Sequence, residues 1–241
     1  MVAEALEALQ VRPGGCYVDA TLGGGGHAEA ILRRNGPDGQ LVGCDRDEAA
    51  LKAARQRLAP YAGRFRLLRM KYADLGEAVP PKSCDGVLMD LGTSSAQMDQ
   101  AERGFSVLRD GPLDMRMNAA EGLTAADLVN TAREEQLADW FQDLGEEPRA
   151  RALARAVVRA RMARPIKRTL ELVEVVERVS PRRGRLNPAT KIFMALRMVV
   201  NDELGSLKRG LRAAWELPKP YGRLALITFH SGEARVVSAA G

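Results

Sequence analysis

The chain reads as an α/β protein, a parallel sheet covered by helices and broken after its fourth strand by an inserted all-helical domain. Three observations predict this class. Short apolar runs alternate with helix-forming stretches from residue 16 to residue 90. Residues from about 98 to 204 carry helical periodicity with almost no strand signal. A strand-like run, GRLALITF, then returns at 222–229. The boundaries that follow are 1–97 for the first part of the sheet domain, 98–204 for the insertion and 205–241 for the second part.

The elements follow in order. Residues 4–10 form a short helix, closed by the turn signal RPGG at 12–15. YVDA (17–20) is a buried strand, and a helix runs from about His27 to Arg34. QLVGC (40–44) is the second strand, and EAALKAARQRLA (48–59) is a helix built of strong formers. FRLLRM (65–70) and DGVLMD (85–90) supply the third and fourth strands. Within the insertion, ADLVNTA, EEQLADWFQDLG, the arginine-rich stretch 149–168, LELVEVVERV and KIFMALRMVVNDEL read as helices.

Composition narrows the class. Apolar residues make up 46% and charged residues 28%, the balance of a soluble globular protein. No run approaches bilayer length, and the N-terminus has no basic region followed by an apolar one, so a cytoplasmic location is expected. Cys16, Cys44 and Cys84 are far apart, and His27 and His230 are the only imidazoles. Neither a disulfide nor a metal centre is expected from that set.

The formal charge of +5 suits a nucleic-acid partner without requiring one. Its distribution says more. Residues 149–168 hold eight basic side chains and no acidic one. On a helix, Arg151, Arg155 and Arg159 stack at four-residue spacing opposite Leu153, Val157 and Ala160. A second basic cluster, PRRGR, follows at 181–185. Charge alone leaves a solvated helix face and a phosphate-binding face equally open.

The chemistry begins at YVDATLGGGGHAEAIL, where four glycines, Gly23 to Gly26, join the first strand to the next helix. Ligands of open α/β sheets bind beyond the carboxyl ends of the strands, where strand order reverses. A loop without side chains lets a ligand approach the backbone, and the helix start offers unpaired N–H groups. Gly23, Gly25 and Ala28 satisfy a loose GxGxxG/A spacing. About twenty residues on, Asp45 ends the second strand, where a carboxylate can accept both hydroxyls of a ribose. Asp47 is the better cap for the following helix, which leaves Asp45 for the ligand. A nicotinamide cofactor and S-adenosylmethionine both fit at this point.

The fourth strand separates them. DGVLMDLGTSSAQMD ends its buried run at Asp90 and places Gly92, Thr93, Ser94, Ser95 and Gln97 in the next loop. A carboxylate and carbonyls there would accept hydrogens from an exocyclic amine, favouring the pyramidal form whose lone pair can meet a methyl group.

ATLGGGGHAEAIL, CDRDEAAL, GVLMDLGTSSAQMDQAERGFSVLRDGPLDMRMN, GLTAADLVNTA, NPATKIFMALRMVVNDEL and GRLALITFHS occur in that order. Together they resemble the ribosomal RNA small-subunit methyltransferase H (MraW-like) family, the 16S rRNA (cytosine-N4)-methyltransferases, from about residue 11 to residue 237. The resemblance implies a Rossmann-like class I sheet dependent on S-adenosyl-L-methionine. It also implies N4-methylation of a cytosine in the decoding centre (P site) of the small ribosomal subunit.

Position by position, the resemblance implies that Gly25, Gly26 and His27 meet the methionine end of the cofactor. Asp45 would hold its ribose and Tyr72 would pack near its adenine, with Asp90 and Gln97 completing the contacts. His27 would pack or hydrogen bond beside the cofactor rather than act as a base. Asp90, Asp114 and His230 are candidate catalytic residues. Asp114 belongs to DGPLDMRM, with Asp110 and Arg116, a segment that is either a wall of the target-base pocket or a salt-bridged hinge. Arg151, Arg155, Arg159, Lys191 and Arg197 are candidate rRNA contacts, with Asn187, Pro188 and Asn201 beside them. An N4 amine is hidden in a base pair, so the target cytosine would be single-stranded or flipped out.

Two departures qualify this. The family has a segment reading like HxPVLLxE where this chain starts. It also reads FHSxEDRxVK and continues through another helix and closing strands, where this chain reads FHSGEARVVSAAG. A truncated protein with an open sheet edge is therefore expected. The competing functional reading is a catalytically weak RNA-binding remnant of the same fold. A nicotinamide-dependent oxidoreductase would account for the glycines and Asp45 alone. The motifs leave a monomer and a homodimer both open.

Overall fold

A computed structural model describes residues 1–91, 101–120, 122–182, 187–229 and 231–239. The chain divides into two compact units, Met1–Gly92 with Leu204–Gly241, and Thr93–Glu203.

The first unit is built on five parallel strands: β1 (Cys16–Asp19), β2 (Gln40–Asp45), β3 (Phe65–Arg69), β4 (Cys84–Asp90) and β5 (Pro218–Ile227). Their order is β3-β2-β1-β4-β5, so the chain steps outward from β1 in one direction and then resumes on its other side at β4. That reversal opens a crevice beyond the carboxyl ends of β1 and β4. Helices α1 (Val2–Ala8), α2 (Gly26–Arg34) and α3 (Glu48–Arg57) cover one face. Alternation along the strands sends Tyr17, Leu41 and Leu88 into that layer, against Ile31, Leu51 and Ala54. Val18, Cys44, Val87 and Met89 point the other way, into a second apolar layer with Leu207 and Leu211. Burial pushes the Cys44 and Cys84 thiols up, as for packed, unreactive side chains.

The second unit is helical: α4 (Ala125–Thr131), α5 (Glu134–Asp139), α6 (Ala150–Ala163), α7 (Thr169–Val179) and α8 (Ala189–Val200). Thr124 and Asp127 cap α4 reciprocally. A π-helical turn, Trp140–Leu144, extends α5 and buries Phe141. Leu137, Phe141, Leu153, Val157, Leu172, Val176, Ile192 and Leu196 are all fully buried in one core.

Beyond α8 the helix α9 (Glu203–Glu216) runs well past Leu204, where the sequence reading ends its last helix. Gly205 and Gly210 lower helix propensity there, and tertiary packing overrides them. A Cβ on Gly210 would lie 2.4 Å from the Tyr72 ring, so the helix keeps a glycine to approach that side chain. The fifth strand starts at Pro218 rather than Gly222, and a final helix, α10 (Ser231–Ser238), follows it. Leu211 and Trp215 of α9, Leu224 and Leu226 of β5 and Val237 of α10 line an apolar groove of about 360 Å³. It lies on the sheet face opposite the α2 and α3 layer. Among the described residues, no helix is long and apolar enough to cross a membrane.

Candidate active site

The glycine loop links β1 to α2 at the crevice. Gly25 takes φ +78° as the residue before α2, and a Cβ there would lie 3.2 Å from the Ala54 Cβ of α3. Its side chain is excluded by backbone conformation and by packing together. Gly24 is different. It is exposed, its φ is not left-handed, and among the described residues an added Cβ would meet nothing within 4 Å. Packing against the described residues gives no reason for a bare backbone at Gly24.

Asp45 closes β2 beside this loop. Its Oδ2 accepts the Gly23 N–H at 2.9 Å and its Oδ1 accepts the Asp47 N–H at 2.8 Å. Asp47 in turn accepts the Ala49 N–H at 3.0 Å and caps α3, the role its position suggests. Asp45 therefore also anchors the loop, an engagement beyond the ligand role read from spacing. Each oxygen keeps a second lone pair for a ribose hydroxyl. Burial raises the Asp45 pKa, against the pull of the two N–H donors.

Asp90 closes β4. Its N–H donates to Thr21 Oγ1 at 2.6 Å, and its Oδ2 lies 3.6 Å from His27 Nδ1. The other ring nitrogen of His27, Nε2, is buried and has no hydrogen-bond partner among the described residues. Asp19, which the sequence reading passes over, ends β1. Its side chain is 1% exposed, its Oδ1 accepts the Thr21 N–H at 3.2 Å and its Oδ2 has no partner among the described residues. Burial first, then Asp90 and Asp45, push its pKa up to about 7. No pattern in VDATLGGGG announces this, because it comes from depth and missing donors rather than residue type.

Tyr72 follows β3, half-buried, with its ring against Gly210 and the second apolar layer. The structure thus places Gly25, Gly26, His27, Asp45 and Asp90 around one crevice end, with Tyr72 beyond the neighbouring strand. Gln97 and His230 lie outside the described residues.

The remaining candidates sit in the helical unit. Arg116 pairs with Asp114 through two bonds of 2.8 Å, which holds the Asp114 carboxyl below its usual range. Asp110 pairs with Arg168 at 2.6 Å. Asn201 accepts the Met117 N–H and donates to the Met115 carbonyl, both at 2.9 Å, clasping the DGPLDMRM segment from α8. Each of these contacts binds the segment inside its own unit. Arg151, Arg155 and Arg159 are exposed on α6, opposite buried Leu153 and Val157, and Arg155 lies 3.5 Å from Glu134. Lys191 donates to the Glu146 carbonyl at 2.8 Å. Arg197 is committed to Glu203 through bonds of 2.9 and 3.0 Å, with both side chains mostly buried. Asn187 accepts the Ala189 N–H at the start of α8.

The sequence is similar to those of known proteins along nearly its whole length. The ribosomal RNA small subunit methyltransferase H of Symbiobacterium thermophilum is 51% identical, over 98% of this chain and 76% of its own length. The protein of the same name from Geobacter sulfurreducens is 52% identical, over 98% and 78%. The crystal structure of TrmN from Thermus thermophilus is similar over 37% of this chain and 26% of its own, with 27% identity and a TM-score of 0.34. That likeness is too partial to bear on function. The model of the MraW methylase family matches residues 1–240. With half of its residues shared with those relatives over nearly its whole length, the chain belongs to the MraW methylase family.

Proposed function

We propose that the chain transfers a methyl group from S-adenosylmethionine to N4 of a cytosine in the decoding centre (P site) of 16S rRNA in the small ribosomal subunit. Relatives named for small-subunit rRNA methylation, about half identical to this chain, support the substrate class. The observation that supports the cofactor reading is Gly24, an exposed glycine with no steric cause among the described residues, in the loop after β1 and so between the strands that Asp45 and Asp90 close. Two buried polar atoms without partners among the described residues, on Asp19 and His27, fit a polar ligand at the same place.

When bound, S-adenosylmethionine supplies an electrophilic methyl group. In this reading Gly25, Gly26 and His27 receive its methionine end, and Asp45 accepts from the ribose hydroxyls. The Tyr72 ring borders the adenine and Gln97 closes the contact set. Asp90 accepts a hydrogen from the exocyclic amine of the target base, which turns the nitrogen lone pair toward the methyl group. His27 Nδ1 lies 3.6 Å from that carboxylate. His230 follows β5 and is assigned to the substrate side. Asp114, held by Arg116, is ionised and serves to shape its segment. Arg151, Arg155 and Arg159 take RNA phosphates, with Lys191 and Arg197 along the same unit.

The test is transfer of labelled methyl from S-adenosylmethionine to small ribosomal subunits, with the modified nucleoside identified by mass. N4-methylated cytidine is the expected product, and Asp90→Ala abolishes it. Label on another base refutes the cytosine reading. RNA binding with no transfer under any condition favours an RNA-binding protein of the same fold.

A further inference from the structure

Asp19 has no part in the reaction just described, yet it is the most deeply buried acid at the crevice. Parallel register sets it beside Gly43 of β2 and Leu88 of β4. Side chains two residues apart on a strand share a face, so Asp45 and Asp90 project on the same side as Asp19. Three carboxyl groups thus converge where three adjacent strands end. Among the described residues, the charged or titratable groups around Asp19 are these two acids from β2 and β4, the buried Cys44 thiol of β2, and His27 of α2 facing Asp90. Arg57 of α3 lies near Gly26 and faces Glu29 at 3.8 Å. A fully buried carboxyl with one unpartnered oxygen is tolerated with a proton on it or with a cation beside it.

We propose that Asp19 is a proton-linked counter-ion of the cofactor site: it keeps its proton while no cation is present and releases it to solvent when a cationic nucleoside binds. The O–H bond of the carboxylic acid breaks, the proton goes to buffer and the carboxylate faces the ligand's positive charge. The inference rests on the reading of the glycine loop as the S-adenosylmethionine site. Burial and the two neighbouring acids, which raise the Asp19 pKa to about 7, keep the proton in place near neutrality. An entering cation opposes all three causes. Two groups of the ligand can supply it, the sulfonium and the α-ammonium.

Titration calorimetry of the whole protein with S-adenosylmethionine, in buffers of different ionisation enthalpy, counts the protons released. Close to one proton is expected at about pH 6, falling toward zero by about pH 8.5, with affinity rising by up to about tenfold per pH unit in between. Asp19→Asn keeps the acceptor for Thr21 and is expected to bind with no such release. Equal release in wild type and Asp19→Asn, with Asp45→Ala still weakening binding, overturns the inference and leaves the site reading intact. No binding by the wild type overturns the site reading itself. Should Asp19→Asn not fold, carboxyl-carbon NMR of the wild type replaces it. A carboxyl titrating near neutrality that ionises on ligand addition supports the inference, and one that does not move overturns it. S-adenosylhomocysteine keeps the ammonium and lacks the sulfonium. Equal release with both ligands assigns the ammonium, and release with S-adenosylmethionine alone assigns the sulfonium.

Discussion

A carboxylate at the end of β2 ties the glycine loop to the start of α3 through Gly23 and Asp47. Asp45→Ala is expected to weaken S-adenosylmethionine binding by about 1–3 kcal/mol, read by calorimetry. The same change should lower the denaturant midpoint, because two N–H groups lose their acceptor. Asp19 gives the opposite kind of signal. The folded protein holds the Asp19 proton up to about pH 7, while an unfolded chain gives it up near the ordinary 3.8. Native protein therefore binds more protons between those values, and stability falls as pH rises through that window. The Asp19 contribution is at most about 4 kcal/mol, reached at and above pH 7. Urea unfolding is expected to show Asp19→Asn more stable than wild type at pH 8, with the gap closing toward pH 4. A wild-type advantage at pH 8 would contradict this. At the scale of single residues, Asp45 and Asp90 are legible because strand ends and spacing mark them. Asp19 is not, since burial and a missing donor are properties of the folded neighbourhood. Nor is the pairing of Arg197 with Glu203, whose side chains are both mostly buried.

Helix α6 separates packing from recognition on one element. Leu153 and Val157 face the core, and Arg151, Arg155 and Arg159 face solvent. Leu153→Ala is expected to cost about 2–5 kcal/mol of stability. Arg151→Ala, Arg155→Ala and Arg159→Ala should each leave stability within about 0.5 kcal/mol. Each should also reduce the slope of log affinity for rRNA against log salt by about 0.7–0.9. Salt titrations with unchanged slopes would remove this face from the RNA interface. The periodicity of α6 was plain in the sequence because strong formers and apolar spacing agree. The extent of α9 was hidden by Gly205 and Gly210, and Gly210 packs closely against Tyr72 and against Met89 of the sheet. The π-helical turn at Trp140–Leu144 was hidden for a related reason. It buries Phe141 and ends at Gly145, where a Cβ would lie 2.7 Å from the Phe141 carbonyl.

Across the whole molecule, alternation of short strands with helices made the sheet readable, and sustained helical periodicity made the second unit readable. The strand order adds what alternation cannot state: β1 lies between β2 and β4, so the glycine loop opens where the chain reverses direction across the sheet. Membership of the MraW methylase family covers both units, through a match over residues 1–240. The central claim is that the methyl donor lies against the bare backbone at the end of β1. Gly24→Ala tests it most directly, because among the described residues an added methyl group meets no atom within 4 Å. Calorimetry of S-adenosylmethionine binding, beside urea unfolding, is expected to show affinity reduced at least tenfold with stability changed by less than about 1 kcal/mol. Unchanged affinity in a fully folded Gly24→Ala protein would contradict the account.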